Sequence, residues 1–337
     1  MRMLLTVMVG MLLGPVAAWG HHSPAAFRLD AQVTVHGTVN RLDWHNPHVY
    51  LYIDATTASG DKQEWTIETD PVSILVRNGW SSTSIAPGDV VTVRANPDRN
   101  TARNHALLVS VALENGEVLT PRTSGVAVVS RAASVAGVWD AMRGFNQRRL
   151  VDLKSDGATP TAKGRAAQLA YVPLENPAAD CVPYPSPMLP VLPYLNEIEI
   201  RDDVVVIRTE FYDTERTVYM DGRGHPQGGA RTNQGHSIGR WEGDVLVVDT
   251  THFADHRIGN NPLLGNTQGI PSGAQKHVVE RYRLSDDRTR LLIDFVVEDP
   301  EYLAKPYSAH MEWDYAPTLE LMRIGCDPEQ GRRYTFQ

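Results

Sequence analysis

From Glu197 onward the chain repeats one pattern: short runs of alternating apolar and polar residues, each closed by a turn signal. The runs cover 197–201, 204–212, 216–221, 237–241, 245–253, 277–284, 290–298, 307–315 and 320–326. Arg201-Asp202-Asp203 and Glu242-Gly243-Asp244 are typical of the turns between them. So many consecutive strands cannot stay an open sheet without exposing edges. A meander closes most simply into an antiparallel up-and-down barrel. This predicts a β-barrel domain over residues 136–337.

A second, smaller unit precedes it. Residues 21–120 read as three strands, a short helix at 71–80, and two more strands after Pro87-Gly88-Asp89. That is the element order of an OB-like small barrel, and Gly37 suits the bend its first strand needs. Residues 121–135 are small and unpatterned, as a linker is. The expected fold is therefore mostly β, with two barrels joined by a linker.

The amino terminus places the protein outside the cytoplasm. Arg2, an apolar run to Leu13, Gly14-Pro15 and Ala18-x-Gly20 make a signal peptide over residues 1–20. The run is shorter than the ~20 residues a bilayer span takes, so no transmembrane segment is expected. The expected location is the periplasm or the extracellular space. There, the two cysteines, Cys181 and Cys326, are expected to form a disulfide. A net charge of −8, without a Lys/Arg block, excludes nucleic acid as the natural partner. The partner expected is a small-molecule ligand or substrate.

Two resemblances follow from motifs. His21-His22-Ser23, Trp44-x-Asn46-Pro47-His48-Val49, Asn78-Gly79-Trp80 and Pro87-Gly88-Asp89 resemble an exported bacterial family of unknown function. The second unit resembles a companion segment of similar exported proteins, by Tyr219-x-Asp221-Gly222-Arg223-x-His225-Pro226 and Gly235-His236-Ser237-x-Gly239-x-Trp241. Gly137-x-Trp139 is similar to the opening of lipocalin-type ligand barrels.

Chemistry-bearing residues fall in two groups. His21 and His22 open the mature chain, and His48 follows Pro47. A terminal amine beside imidazoles favours Cu(II), so copper is the cofactor this group implies, with an incidental His pair at a loose terminus as the bland alternative. In the second unit His236, Asp249, His277 and Glu280 are candidate acid–base residues. Tyr219, Asp221, Arg223, His225, Trp241 and Arg281 are candidate ligand-binding residues. The bland reading pairs the acids with arginines in structural networks. Gly235-His236-Ser237-Ile238-Gly239 mimics a nucleophile elbow but continues as strand and turn, which that motif does not.

Three functions are open on these grounds. The leading expectation is an exported protein holding a small, partly apolar ligand inside the second barrel, with one pocket drawing these side chains together. The rivals are a cofactor-free lyase, isomerase or hydrolase in the same barrel, and a copper-handling protein.

Overall fold

The computed structural model describes residues 26–46, 48–56, 60, 62–122, 130–141, 152–154, 158–172, 175–260, 269–323 and 325–332. Residues 1–20, read above as a signal peptide, and His21 and His22 lie outside the described residues. No helix among the described residues is long and apolar enough to cross a membrane.

The first unit is a closed five-stranded barrel. Its elements are β1 (Val33–Asp43), β2 (Tyr50–Thr56), β3 (Lys62–Glu68), α1 (Val72–Arg77), β4 (Val90–Pro97) and β5 (His105–Leu113), with a short β6 (Val118–Leu119) added at β5. The order β3-β2-β1-β4-β5 is closed by parallel pairing of β3 with β5. β1 serves both halves, facing β4 through Val33–Thr38 and β2 through Gly37–Asp43. Gly37 stands where these pairings overlap, and a Cβ there would lie 2.4 Å from Asp54 O. Close backbone approach, rather than a special φ, requires glycine. Val39, Leu51, Ile53, Ile67, Leu75, Val91, Val93 and Val111 fill the interior.

The second unit is a closed nine-stranded barrel. It comprises β7 (Gly137–Asp140), β9 (Leu195–Ile200), β10 (Val204–Thr209), β11 (Thr214–Tyr219), β12 (His236–Glu242), β13 (Val245–Thr251), β14 (His277–Leu284), β15 (Arg290–Glu298) and β16 (Tyr307–Tyr315). A short β8 (Asp152–Lys154) also pairs with β16. Two features depart from the expected meander. β11 and β12 pair in parallel, through Val218↔Ser237 and Tyr219↔Ile238. The segment 220–235 must therefore travel the length of the wall before β12 starts. The expected last strand at 320–326 is absent from its described residues, because β7 takes the place beside β16.

Helix α2 covers Ala162–Leu169. Thr161 is the N-cap, its side chain accepting from Gly164 N, while Pro160 bridges to Leu303. Ala132 and Val135, at the end of the expected linker, are buried in the second core. Trp139 of the Gly137-x-Trp139 motif lies at its base, with Nε1 donating to Val135 O at 3.0 Å.

The expected disulfide is present, with Cys181 and Cys326 Cα atoms 5.7 Å apart. It fastens the 3-10 turn Pro177–Asp180 to the terminal helix α3 (Pro328–Arg332), where Arg332 also pairs with Asp180. The two units touch through Arg77 of α1 and Glu210, which is 1% exposed and also accepts from Leu195 N and Met322 N.

Candidate functional site

The inside of the second barrel is a packed core. Trp139, Trp313, Tyr282, Met311 and Ile293 fill it, each fully buried. One polar network crosses it: Arg216 pairs with Glu280, Ser186 Oγ donates to Glu280 Oε1 at 2.7 Å, and Arg216 Nη2 donates to the Tyr282 hydroxyl at 2.9 Å. Beside this network is a cavity of about 20 Å³, lined by Ser186, Asn196, Thr209, Arg216, Gln234 and Trp313. A space of that size suits a water molecule, not an organic ligand.

The histidines converge on the other side of the wall. On β13, Leu246, Val248 and Thr250 are buried and Asp249 is half-buried; on β14, Val278, Glu280 and Tyr282 are buried and His277 is half-buried. Side chains alternate across a strand, so Asp249 and His277 face outward where Glu280 faces in. His236 opens β12 opposite Thr251, on the same outer face. The segment 220–235 lies over this face and brings His225 onto it. Gly235 turns the chain into β12 with φ +72, and a Cβ there would lie 2.6 Å from Thr251 O. Only glycine accommodates both that φ and that contact.

The result is a chain of four polar side chains. His277 Nε2 and His225 Nε2 both stand on Asp249 Oδ1, at 2.8 and 3.1 Å. His225 Nδ1 is 3.0 Å from His236 Nδ1. Side-chain exposures of 20% for His225, 29% for Asp249 and 33% for His277 leave the centre reachable from solvent. The Tyr219 ring stacks on His236 at 5.2 Å, and the Arg223 guanidinium sits 4.1 Å over Tyr219. His252, at φ +57, places its ring 6.2 and 6.3 Å from those of His225 and His236.

The electrostatics give each group a role. His277 is raised above the usual imidazole range, chiefly by its hydrogen bond to Asp249. Asp249 is held below the usual carboxylate range, first by the hydrogen bond from His277 and then, against some burial, by His225. His236 is lowered by burial and by the neighbouring His225, His252 and Arg223 charges. An ionised carboxylate only accepts, so His225 Nε2 donates to it. Of the two facing Nδ1 atoms one donates and the other accepts. In the order where His236 Nδ1 donates, the His236 lone pair is on Nε2.

The residues expected in one pocket therefore divide three ways. Tyr219, Arg223, His225, His236, Asp249 and His277 do meet, but outside the barrel rather than within it. Asp221 serves the group by gripping Arg223 at 2.8 and 2.9 Å. Glu280 belongs to the interior network and reaches none of the histidines. Trp241 and Arg281 lie at the far end of the wall, Arg281 paired with Glu242 and Trp241 43% exposed. Four residues of strand separate Arg281 from His277, about 13 Å. His252, which lies within the expected strand 245–253 and directly after the observed one, also joins the cluster.

In the first barrel His48 Nδ1 donates to Thr69 O at 3.0 Å and lies 3.4 Å from Glu68 Oε1. Among the described residues no group of three or more His, Cys, Asp or Glu side chains is arranged to hold a metal.

Comparison with known proteins adds to the first barrel alone. Residues 10–107 match the model of a family described as a family of unknown function, DUF6152. No curated protein matches the chain. The second barrel and its histidine centre lie beyond the matched residues.

Proposed function

We propose that this is an exported enzyme that moves protons on a small polar substrate at the outer-wall centre of the second barrel, as a lyase, isomerase or hydrolase does. One observation carries the reading: the Asp249–His225–His236 chain of contacts at 3.1 and 3.0 Å, in which a His236 that donates from Nδ1 keeps its lone pair on Nε2 as a base. Burial and the neighbouring His225, His252 and Arg223 lower His236 and so favour its neutral form, the form that can accept a proton. A base so placed contributes typically 10²–10⁴-fold to a proton-transfer step. Arg223, stacked over Tyr219 beside His236, offers a cation to an anionic substrate group.

This reading is preferred to a ligand carried inside the barrel because the interior is occupied by side chains. Export rests on the leader sequence, and the Cys181–Cys326 bond agrees with it.

The test uses p-nitrophenyl acetate, an ester that accessible neutral imidazoles cleave, with the full mature chain. His236→Ala and Asp249→Asn are each expected to slow cleavage at pH 7 by ~10-fold or more. Nitrogen-15 spectra should place the proton of neutral His236 on Nδ1. Unchanged cleavage in both variants, or a proton on Nε2, overturns the reading.

A further inference from the structure

His252 breaks the alternation of β13. Leu246, Val248 and Thr250 are buried in the barrel, so alternation would send His252 inward next. Instead its φ of +57 turns the chain by one position, and Phe253 enters the core in its place, fully buried. His252 is thereby left half-buried, beside the outer-wall histidines. The turn is held by the segment that carries His225: Thr232 N donates to His252 O at 3.1 Å, and Ala254 N donates to Thr232 O at 2.7 Å.

Glycine takes a left-handed turn without strain, whereas a side chain there is uncommon and carries a cost. Gly235, entering β12 nearby at φ +72, shows the usual solution. A strained residue that its surroundings hold in place points to function. Here the His252 Nδ1 lies 2.9 Å from Thr251 Oγ1, which restrains the ring's rotation. The ring then stands 6.3 Å from that of His236. The other groups on His236 are His225 at 3.0 Å, the stacked Tyr219, and Arg223 over Tyr219. Asp249 connects to it through His225, and His277 through Asp249. His236 is lowered first by burial, then by His225, His252 and Arg223.

We propose that His252 is a positioning residue of this centre: when charged, its ring stands close enough to oppose protonation of His236, and so keeps that ring available as a base. The inference rests on the reading of His236 as the base and adds what maintains it. Two imidazolium rings this close repel, so a proton on His252 discourages one on His236. His252 acts on His236 and not on the reacting atoms. Glycine at 252 would make the same turn without supplying that charge.

Proton NMR titration of the full mature chain, with His236 assigned through His236→Ala, reads this without a substrate. In His252→Gly and His252→Asn, both compatible with the left-handed turn, His236 should titrate at higher pH than in the wild type. In His252→Lys, which keeps a positive charge, it should stay low. The acid limb of p-nitrophenyl acetate cleavage should move upward with His236 in the two neutral variants. His252→Gly should melt no lower than the wild type, because it removes the strain. An unmoved His236 titration in both neutral variants overturns the proposal. So does a His252→Gly chain that melts well below the wild type, which marks a role in the fold alone. Cleavage that ignores His236→Ala would sink the base reading, while the titration would still decide what His252 does to His236.

Discussion

His277 Nε2 donates to Asp249 Oδ1 at 2.8 Å although the two are not register partners; Asp249 faces Val279, and His277 reaches it diagonally across the β13–β14 pair. The contact joins a raised imidazole to a depressed carboxylate. The histidine's contribution is fully present below its unfolded value and is lost as pH rises through its folded value. The carboxylate's contribution is present above its unfolded value and is lost as pH falls through its folded value. The pair therefore supports the fold between the carboxylate and imidazole ranges. Asp249→Asn should return His277 toward ~6.5 in an NMR titration. The stability cost should be only ~1 kcal/mol, because both groups are partly exposed.

The interior pair behaves differently. Glu280→Gln leaves Arg216 buried without its counter-charge, for which ~3–5 kcal/mol of destabilisation is expected in urea unfolding. Replacing both partners, Arg216→Met with Glu280→Leu, should recover most of that loss. Ester cleavage by His236 should be unchanged in the double variant, since the wall separates the two groups.

The first barrel carries its own titrating contact. His105 is buried, which alone would lower it, but Glu68 and Asp98 on either side outweigh burial and raise it. Its contribution is complete below the unfolded histidine value and fades as pH rises through the folded one. Thermal unfolding of the wild type should therefore lose part of its stability between the mildly acidic and alkaline ranges. His105→Gln should flatten that dependence; an equal slope in both chains would count against it.

Of the three histidines behind the copper expectation, His21 and His22 lie outside the described residues, and His48 donates to Thr69 O. The mature chain should bind about one Cu(II) through its amino terminus, and His21→Ala or a retained tag should weaken calorimetric binding at least tenfold. Equal binding by tagged and native chains would remove the terminal site.

Much of the fold is legible in the sequence because alternation and turn residues are local signals. The strands of the first barrel, and β9 to β16 of the second, lie within a few residues of their expected places. What alternation does not reveal is which face is the inside when both are covered. Val247 is fully buried yet shares the outer face with Asp249, so apolar residues occupy both sides of β13. Asp249 and His277 were legible as candidates for that reason, but their placement within the barrel was not. The parallel β11–β12 pair also escapes a local reading, since it depends on where a long segment returns. The Arg216–Glu280 pair escapes it too, being a contact 64 residues apart.

That same return path has an evolutionary meaning. Asp249 and His277 belong to strands whose inner faces hold the core, so the barrel fixes where they stand. His225 arrives on the segment 220–235, which closes no part of the ring. A lineage could lengthen, shorten or rewrite that segment and so exchange one partner of the centre while the frame beneath stayed intact. Novel specificity in relatives with this barrel should therefore accumulate between the end of β11 and Gly235, and the carboxylate beneath should outlast it.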